Sequence, residues 1–201
     1  MKKLLSVLAI MVVAATTSFA QIGVRIGMDF DKLNSDWKDY TKSNIGLHLG
    51  AVYNFELADA LTLQPGVYYV QKNWEVKNWD AKVHTHYLEV PVLVKYNIEL
   101  TSDISIDPHV GPYFGFGFAG KVKDSDMKVF RKKNNGMNLN QLEMGIQFGV
   151  GATIFDAAYV GFDYELSFRD LEPFHYDQTL FHGGTAHNSM FMITFGVWIP
   201  E

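Results

Sequence analysis

"HYLEVPVLVKYNIEL", residues 86–100, alternates with a period of two: Leu88, Val90, Val92, Val94, Tyr96 and Ile98 on one side, Tyr87, Glu89, Pro91, Leu93, Lys95, Asn97 and Glu99 on the other. That period is the mark of a β-strand, whose successive side chains point to opposite faces. One face is apolar from end to end, and its back carries Glu89, Lys95 and Glu99. Which face meets water decides what kind of molecule this is.

The same period returns in seven further segments, at residues 22–30, 45–57, 61–70, 104–119, 141–154, 159–169 and 190–199. Most are about 9–14 residues long, the length at which a tilted strand crosses a bilayer. In the third of the eight the pattern decays after Val70. The connections alternate in length: residues 31–44, 71–86, 120–140 and 170–189 are long and polar, whereas 58–60, 100–103 and 155–158 are short. This spacing predicts an all-β, eight-stranded antiparallel up-and-down transmembrane β-barrel with four long outer loops and three short periplasmic turns. The even strand count places both ends of the barrel on the periplasmic side.

Comparison of the two faces gives the orientation. The apolar face carries no charge over the central part of any segment, and aromatics mark its rims: Tyr53, Phe55, Tyr96, Phe155 and Tyr159 near the short turns, Trp74, Phe118 and Phe168 near the long loops. Two aromatic girdles are expected at the two membrane–water interfaces. The other face mixes glycines with a few charges and tyrosines, unlike the Lys- and Glu-dense exterior of a soluble barrel. In an eight-stranded barrel the interior is just wide enough for side chains to fill, and glycines there leave room for large neighbours. The polar face is therefore assigned to the lumen and the apolar face to lipid. Pro65, Pro91, Pro108 and Pro112 each remove a ladder donor, which predicts bulges or rim positions.

The N-terminus supplies the compartment. Lys2 and Lys3, the apolar run from Leu4 to Ala15 and the small-x-small site Ser18-Phe19-Ala20 form a secretory signal peptide. Residues 1–20 are thus a signal and residues 21–201 the barrel. Without Lys2 and Lys3 the 17 basic residues fall to 15, against 22 acidic ones, a net charge of −7. An acidic chain lacks the basic footprint of a nucleic-acid binder. The chain has no cysteine, so no disulfide or thiolate site holds it. The aromatic content of 14% and the 17 glycines favour strands over helices.

The signal peptide, the strand YLEVPVLVKY, the strand GPYFGFGFAGKV and the pair GIQFGVGATI and VGFDYELSF together resemble the porin-family outer-membrane β-barrel domain. In architecture this family is kin to the small OmpX- and OmpA-type barrels. The resemblance covers the mature chain and implies the cell outer membrane, outer-membrane lipid and lipopolysaccharide as surroundings, and the barrel-assembly machinery as a partner. The chain departs from such barrels in ending Trp198-Ile199-Pro200-Glu201 rather than on an aromatic residue.

Ten ionisable residues fall on the lumen face: Arg25, Asp29, Glu56, Glu89, Lys95, Asp107, Glu143, Asp163, Glu165 and Arg169. Unpaired charges in a tight interior are expensive and paired ones tolerable, which predicts an ion-pair network centred on Arg25 and Lys95. Glu89 and Lys95 lie six residues apart, about 20 Å along a strand. Each therefore needs a partner elsewhere: Arg25 or Arg169 for Glu89, Asp163 or Glu165 for Lys95. Acids outnumber bases seven to three in this set.

Outside the lumen, the loop KVKDSDMKVFRKKNNG (121–136) presents Lys128, Arg131, Lys132 and Lys133 as a surface for anions. His84, His86, His175, His182 and His187 do not supply the three or four convergent ligands a metal needs, so neither metal nor cofactor is expected. His187-x-Ser189, with Glu172 or Asp177 nearby in the chain, is a faint nucleophile–base pattern, and no catalytic residue is assigned. The sequence predicts a filled, non-enzymatic barrel with a structural or adhesive role through its outer loops and an extracellular partner there. The alternatives are a narrow pore for ions or small solutes and, behind it, a lipid-modifying enzyme.

Overall fold

The computed structural model describes residues 21–35, 41–76, 81–123, 128–130, 139–169 and 186–199. The signal segment lies outside the described residues. Ten strand segments follow one another: β1 (Gln21–Ser35), β2 (Thr41–Ser43), β3 (Ile45–Ala58), β4 (Leu61–Val76), β5 (Ala81–Tyr96), β6 (Ile98–Thr101), β7 (Ile104–Val122), β8 (Leu142–Ile154), β9 (Ala158–Ser167) and β10 (Ala186–Ile199). They build eight staves. The short β2 pairs with β4 as an extension of β3, and β6 pairs with β7 as an extension of β5.

All neighbours are antiparallel, and β1 pairs with β10 from Ile22↔Ile199 to Ser35↔Ala186, closing the cylinder. Closure leaves no unpaired edge, the condition a sheet must meet in hydrocarbon. The turn between β8 and β9 is tight: Phe155 and Asp156 both adopt left-handed backbone (φ 53° and 52°), and Ala157 N–H donates to the Ile154 carbonyl. Paired positive φ values match the right-handed twist of a hairpin.

Burial is inverted relative to a water-soluble protein. Ile26, Leu49, Phe114 and Phe195 are each about half exposed, whereas Arg25, Glu89, Lys95 and Glu143 are 3% exposed or less. The apolar residues of the opening stretch face outward. The glycines opposite them make space for rings: a methyl group at Gly151 would sit 2.5 Å from the Tyr159 ring, and one at Gly23 would sit 2.8 Å from Trp198. Tyr53, Phe55, Tyr96, Phe118, Phe155 and Phe168 stand outside or at the rims, but Trp74 and Tyr159 do not. Both are buried on the lumen side, because inner parity continues past the segment ends from which their rim positions were read.

The strands run further toward the long loops than the hydrophobic pattern shows. β4 continues to Val76 and β5 starts at Ala81, so most of the predicted loop 71–86 is sheet. The pattern fades there because Gln71, Asn73 and Glu75 replace the apolar outer residues, while hydrogen-bond pairing persists from Gln71↔His86 to Val76↔Ala81.

The prolines do not sit at bulges. Register shifts fall at Glu56/Ala58, His86/Tyr87 and Glu99/Thr101. Regular pairing instead lapses beside Pro65 (between Val52↔Gly66 and Phe55↔Leu63), beside Pro91 (between Pro65↔Val92 and Tyr68↔Glu89) and beside Pro112 (between Pro91↔Tyr113 and Val94↔Val110). Pro108 lies where β5 hands over to β6. A residue with no N–H is placed where the ladder omits a rung.

The face assignment is testable. Val110, mid-strand on β7 and 47% exposed, faces outward, so Val110→Arg should destabilise the barrel by about 2–4 kcal/mol. Denaturant titration of protein refolded in lipid vesicles, read by heat-modifiable gel mobility, measures the shift.

Candidate functional site

The lumen is filled from one end to the other, and a lysine absent from the sequence expectation holds its most charged layer. Lys72 projects inward from β4 because inner parity runs on from Gln64, Tyr68 and Val70. Its ammonium group donates to Glu143 on β8 (2.8 Å) and forms an ion pair with Glu89 on β5 (2.7 Å), and Glu165 on β9 lies at 3.7 Å. All four side chains are at most 3% exposed. Glu143 also accepts from the Tyr113 hydroxyl (2.8 Å) and the Asn188 amide (3.3 Å). The rings of Tyr87 and Tyr113 stand 5.1 and 5.4 Å from the ammonium.

Arg25 and Lys95, the predicted centre of the network, sit elsewhere. Arg25 meets no carboxylate within ion-pair distance among the described residues. Its guanidinium lies over Tyr159 (3.8 Å to the ring centre) and Trp198 (4.1 Å), and it donates to the carbonyls of Val24 and Val197. Arginine's planar, weakly hydrated cation suits ring faces in this way. Lys95 pairs with Asp107 (3.1 Å) rather than with Asp163 or Glu165. Glu89 takes Lys72 in place of Arg25 or Arg169. Arg169, half-buried near the long-loop end, bonds through its backbone N–H to Ser167 and enters no ion pair among the described residues. Glu56 is exposed beside a short turn.

Two histidines complete the layers. His48 Nδ1 lies 2.6 Å from Asp29, with Thr194 Oγ1 3.2 Å from Nε2. His109 Nε2 lies 2.6 Å from Asp163, which also accepts from Gln147 (2.9 Å), and His109 Nδ1 is 2.9 Å from the Asp107 carbonyl. The chain Asp29–His48–Thr194 has the composition of a catalytic relay, but Asp29 and His48 are fully buried and can only brace β1 and β3. Between these layers a void of about 20 Å³, lined by Arg25, Tyr68, Glu89, His109 and Tyr159, has room for about one water.

Toward the long loops the filling turns apolar. Val70, Tyr87, Met190 and Met192 form one cluster; Trp74, Val83, Val122, Val129 and Leu139 form the next, and Phe130 packs on both. Val129 and Leu139, described residues of the third long connection, are held against this second cluster by Val129 N–H to Gly120 O and Leu139 N–H to Val129 O.

Of the other residues singled out in the sequence, Lys128 is exposed; Arg131, Lys132 and Lys133 lie outside the described residues, as do His175, His182, Glu172 and Asp177. Ser189 donates its hydroxyl to the Lys32 carbonyl (3.1 Å), not to a histidine. No group of three metal-ligating side chains suited to an ion occurs among the described residues.

The family model of the outer membrane protein beta-barrel domain matches residues 14–172. Solved structures with the same fold include Neisserial surface protein A (11% identity, TM-score 0.51, covering 89% of this chain and 97% of that one). OprG from Pseudomonas aeruginosa matches at 13% identity and TM-score 0.50, over 92% and 98% of the two chains. The outer membrane enzyme PagL matches at 13% and 0.50, over 90% and 99%. No curated protein sequence matches significantly.

Truncating the shared cation tests the layer. Lys72→Met strands three buried carboxylates and should cost about 3–5 kcal/mol. Adding Glu89→Gln, Glu143→Gln and Glu165→Gln to it should recover much of the loss in the same unfolding titration.

Proposed function

The chain belongs to the outer membrane protein beta-barrel domain family, and from that premise we propose that it is a non-conducting scaffold whose working surface is the set of hairpins at its long-loop end. The barrel resides in the outer membrane, and the strands described above are its transmembrane part. The reading places the long-loop end at the cell exterior and gives the protein a structural or adhesive role there.

The filled lumen carries this reading. Four staves contribute to the Lys72 layer, Arg25 lies across two aromatic rings below it, and the apolar clusters around Trp74 and Tyr87 occupy the mouth above it. A solute would have to break a buried ion pair and displace a packed ring in turn. PagL is an enzyme on the same fold, so architecture alone does not decide about catalysis. In this chain the serine of the His187-x-Ser189 pattern is engaged with backbone, and the relay around His48 is sealed from any substrate.

Planar-bilayer recording with purified, refolded protein is the test. The expected result is a flat trace at voltages where a wide porin conducts steadily. Reproducible ohmic steps would replace the scaffold with the narrow pore.

A further inference from the structure

Above the girdle at the long-loop end, the wall made by β4, β5 and β7 changes character. The outward row Tyr69, Leu88 and Phe116 is apolar and aromatic, and Phe118 stands beside it at the bulge opposite His86 and Tyr87. Tyr69 bonds His86 at 2.6 Å one row further up. The next outward row, about 7 Å above each predecessor, brings Asn73, His84 and Lys121 side by side, with Lys128 bridged to Lys121. The row after that aligns Lys42, Glu75 and Lys82, and Lys123 N–H donates to the Lys82 carbonyl.

Lys42, Lys121, Lys123 and Lys128 are exposed and Lys82 is 40% exposed at its side chain. Among the described residues, Glu75, 3.9 Å from Lys82, is the one carboxylate in these rows. Lys121 and Lys128 face each other directly, and like charges directly opposite destabilise a sheet. His84 is held by Asn73 through Nδ1 (2.8 Å), which leaves Nε2 without a protein partner among the described residues. In a chain with a net charge of −5, the described residues of these rows thus set five lysines against one carboxylate on one side of the rim. That arrangement calls for an anion.

We propose that this wall is a docking surface for the phosphate groups of a phosphorylated glycolipid in the leaflet at the long-loop end, with Lys82, Lys121 and Lys123 as its principal cations. The depth selects the source. The cations begin two rows above the aromatic girdle and point sideways from the wall, at headgroup level, whereas a soluble polyanion would be met by loop tips. Clustered lysines beside a membrane bind anionic headgroups additively. The proposal rests on the outer-membrane placement and is independent of whether the lumen conducts.

Native mass spectrometry of the refolded barrel in detergent with diphosphoryl lipid A tests it. Wild type should retain the lipid through detergent release. The triple variant Lys82→Gln, Lys121→Gln, Lys123→Gln should retain it on the order of 100-fold less well, and lipid A stripped of both phosphates should not be retained by wild type. Heat-modifiable mobility shows whether the triple variant folds; if it does not, Lys121→Gln and Lys123→Gln singly carry the comparison, each with a smaller loss. Equal retention by wild type and variants, or retention that ignores the phosphates, overturns the proposal. So does binding of a soluble sulfated glycan in place of the lipid.

Discussion

The interior of this barrel depends on one ammonium group. Lys72 from β4 is shared by carboxylates from β5, β8 and β9, so a single cation cross-braces staves on opposite sides of the lumen. Its energetic meaning lies as much in register as in attraction. Sliding any of these strands by one residue would turn its carboxylate into lipid and an apolar side chain into the lumen. The acids that surround Lys72 have little to gain in isolation, since their desolvation offsets much of the pairing. What they achieve together is a unique alignment of four strands.

Arg25 solves the same problem by another route. It is the most buried cation near the short turns, yet it is held by two ring faces and two carbonyls. Lys95, with 5.2 Å to the Tyr159 ring, leans on the same aromatic platform while bonding Asp107. Tyr159 and Trp198 therefore serve two cations at once. The adjacent glycines are what let those rings lie flat inside the wall: Gly151 and Gly161 against Tyr159, Gly23 against Trp198.

The alternation of the sequence carried the fold, the strand count and the buried inward residues Arg25, Asp29, Glu89, Lys95, Asp107, Glu143, Asp163 and Glu165, though not Glu56, which is exposed at a strand end, because a period of two says which face a residue is on. It did not carry pairing, because which inward residues meet depends on stagger between strands. Hence Glu89 was matched with the wrong cation, and Lys95 with the wrong acids. Lys72 was missed for a different reason: outward residues beyond Val70 cease to be apolar, so the strand seemed to end. Counting inner parity onward from Gln64, Gly66, Tyr68 and Val70 would have reached it. The same count places His48 and His109 inside, where each now bonds an aspartate.

The prolines give this barrel an uneven wall. The lapses beside Pro65, Pro91 and Pro112 fall on successive ladders, β3–β4, β4–β5 and β5–β7, within two residues of one another in register, so they join into one staggered band across four neighbouring staves. Along it the strands stay in contact by close backbone approach, as where Gly111 sits against the Val92 carbonyl with no space for a side chain. The opposite wall, from β8 through β10 to β1, is paired without a break. Mechanical compliance is thus concentrated in a mid-membrane crease on one side, and any breathing of the cylinder is hinged there rather than shared around its circumference.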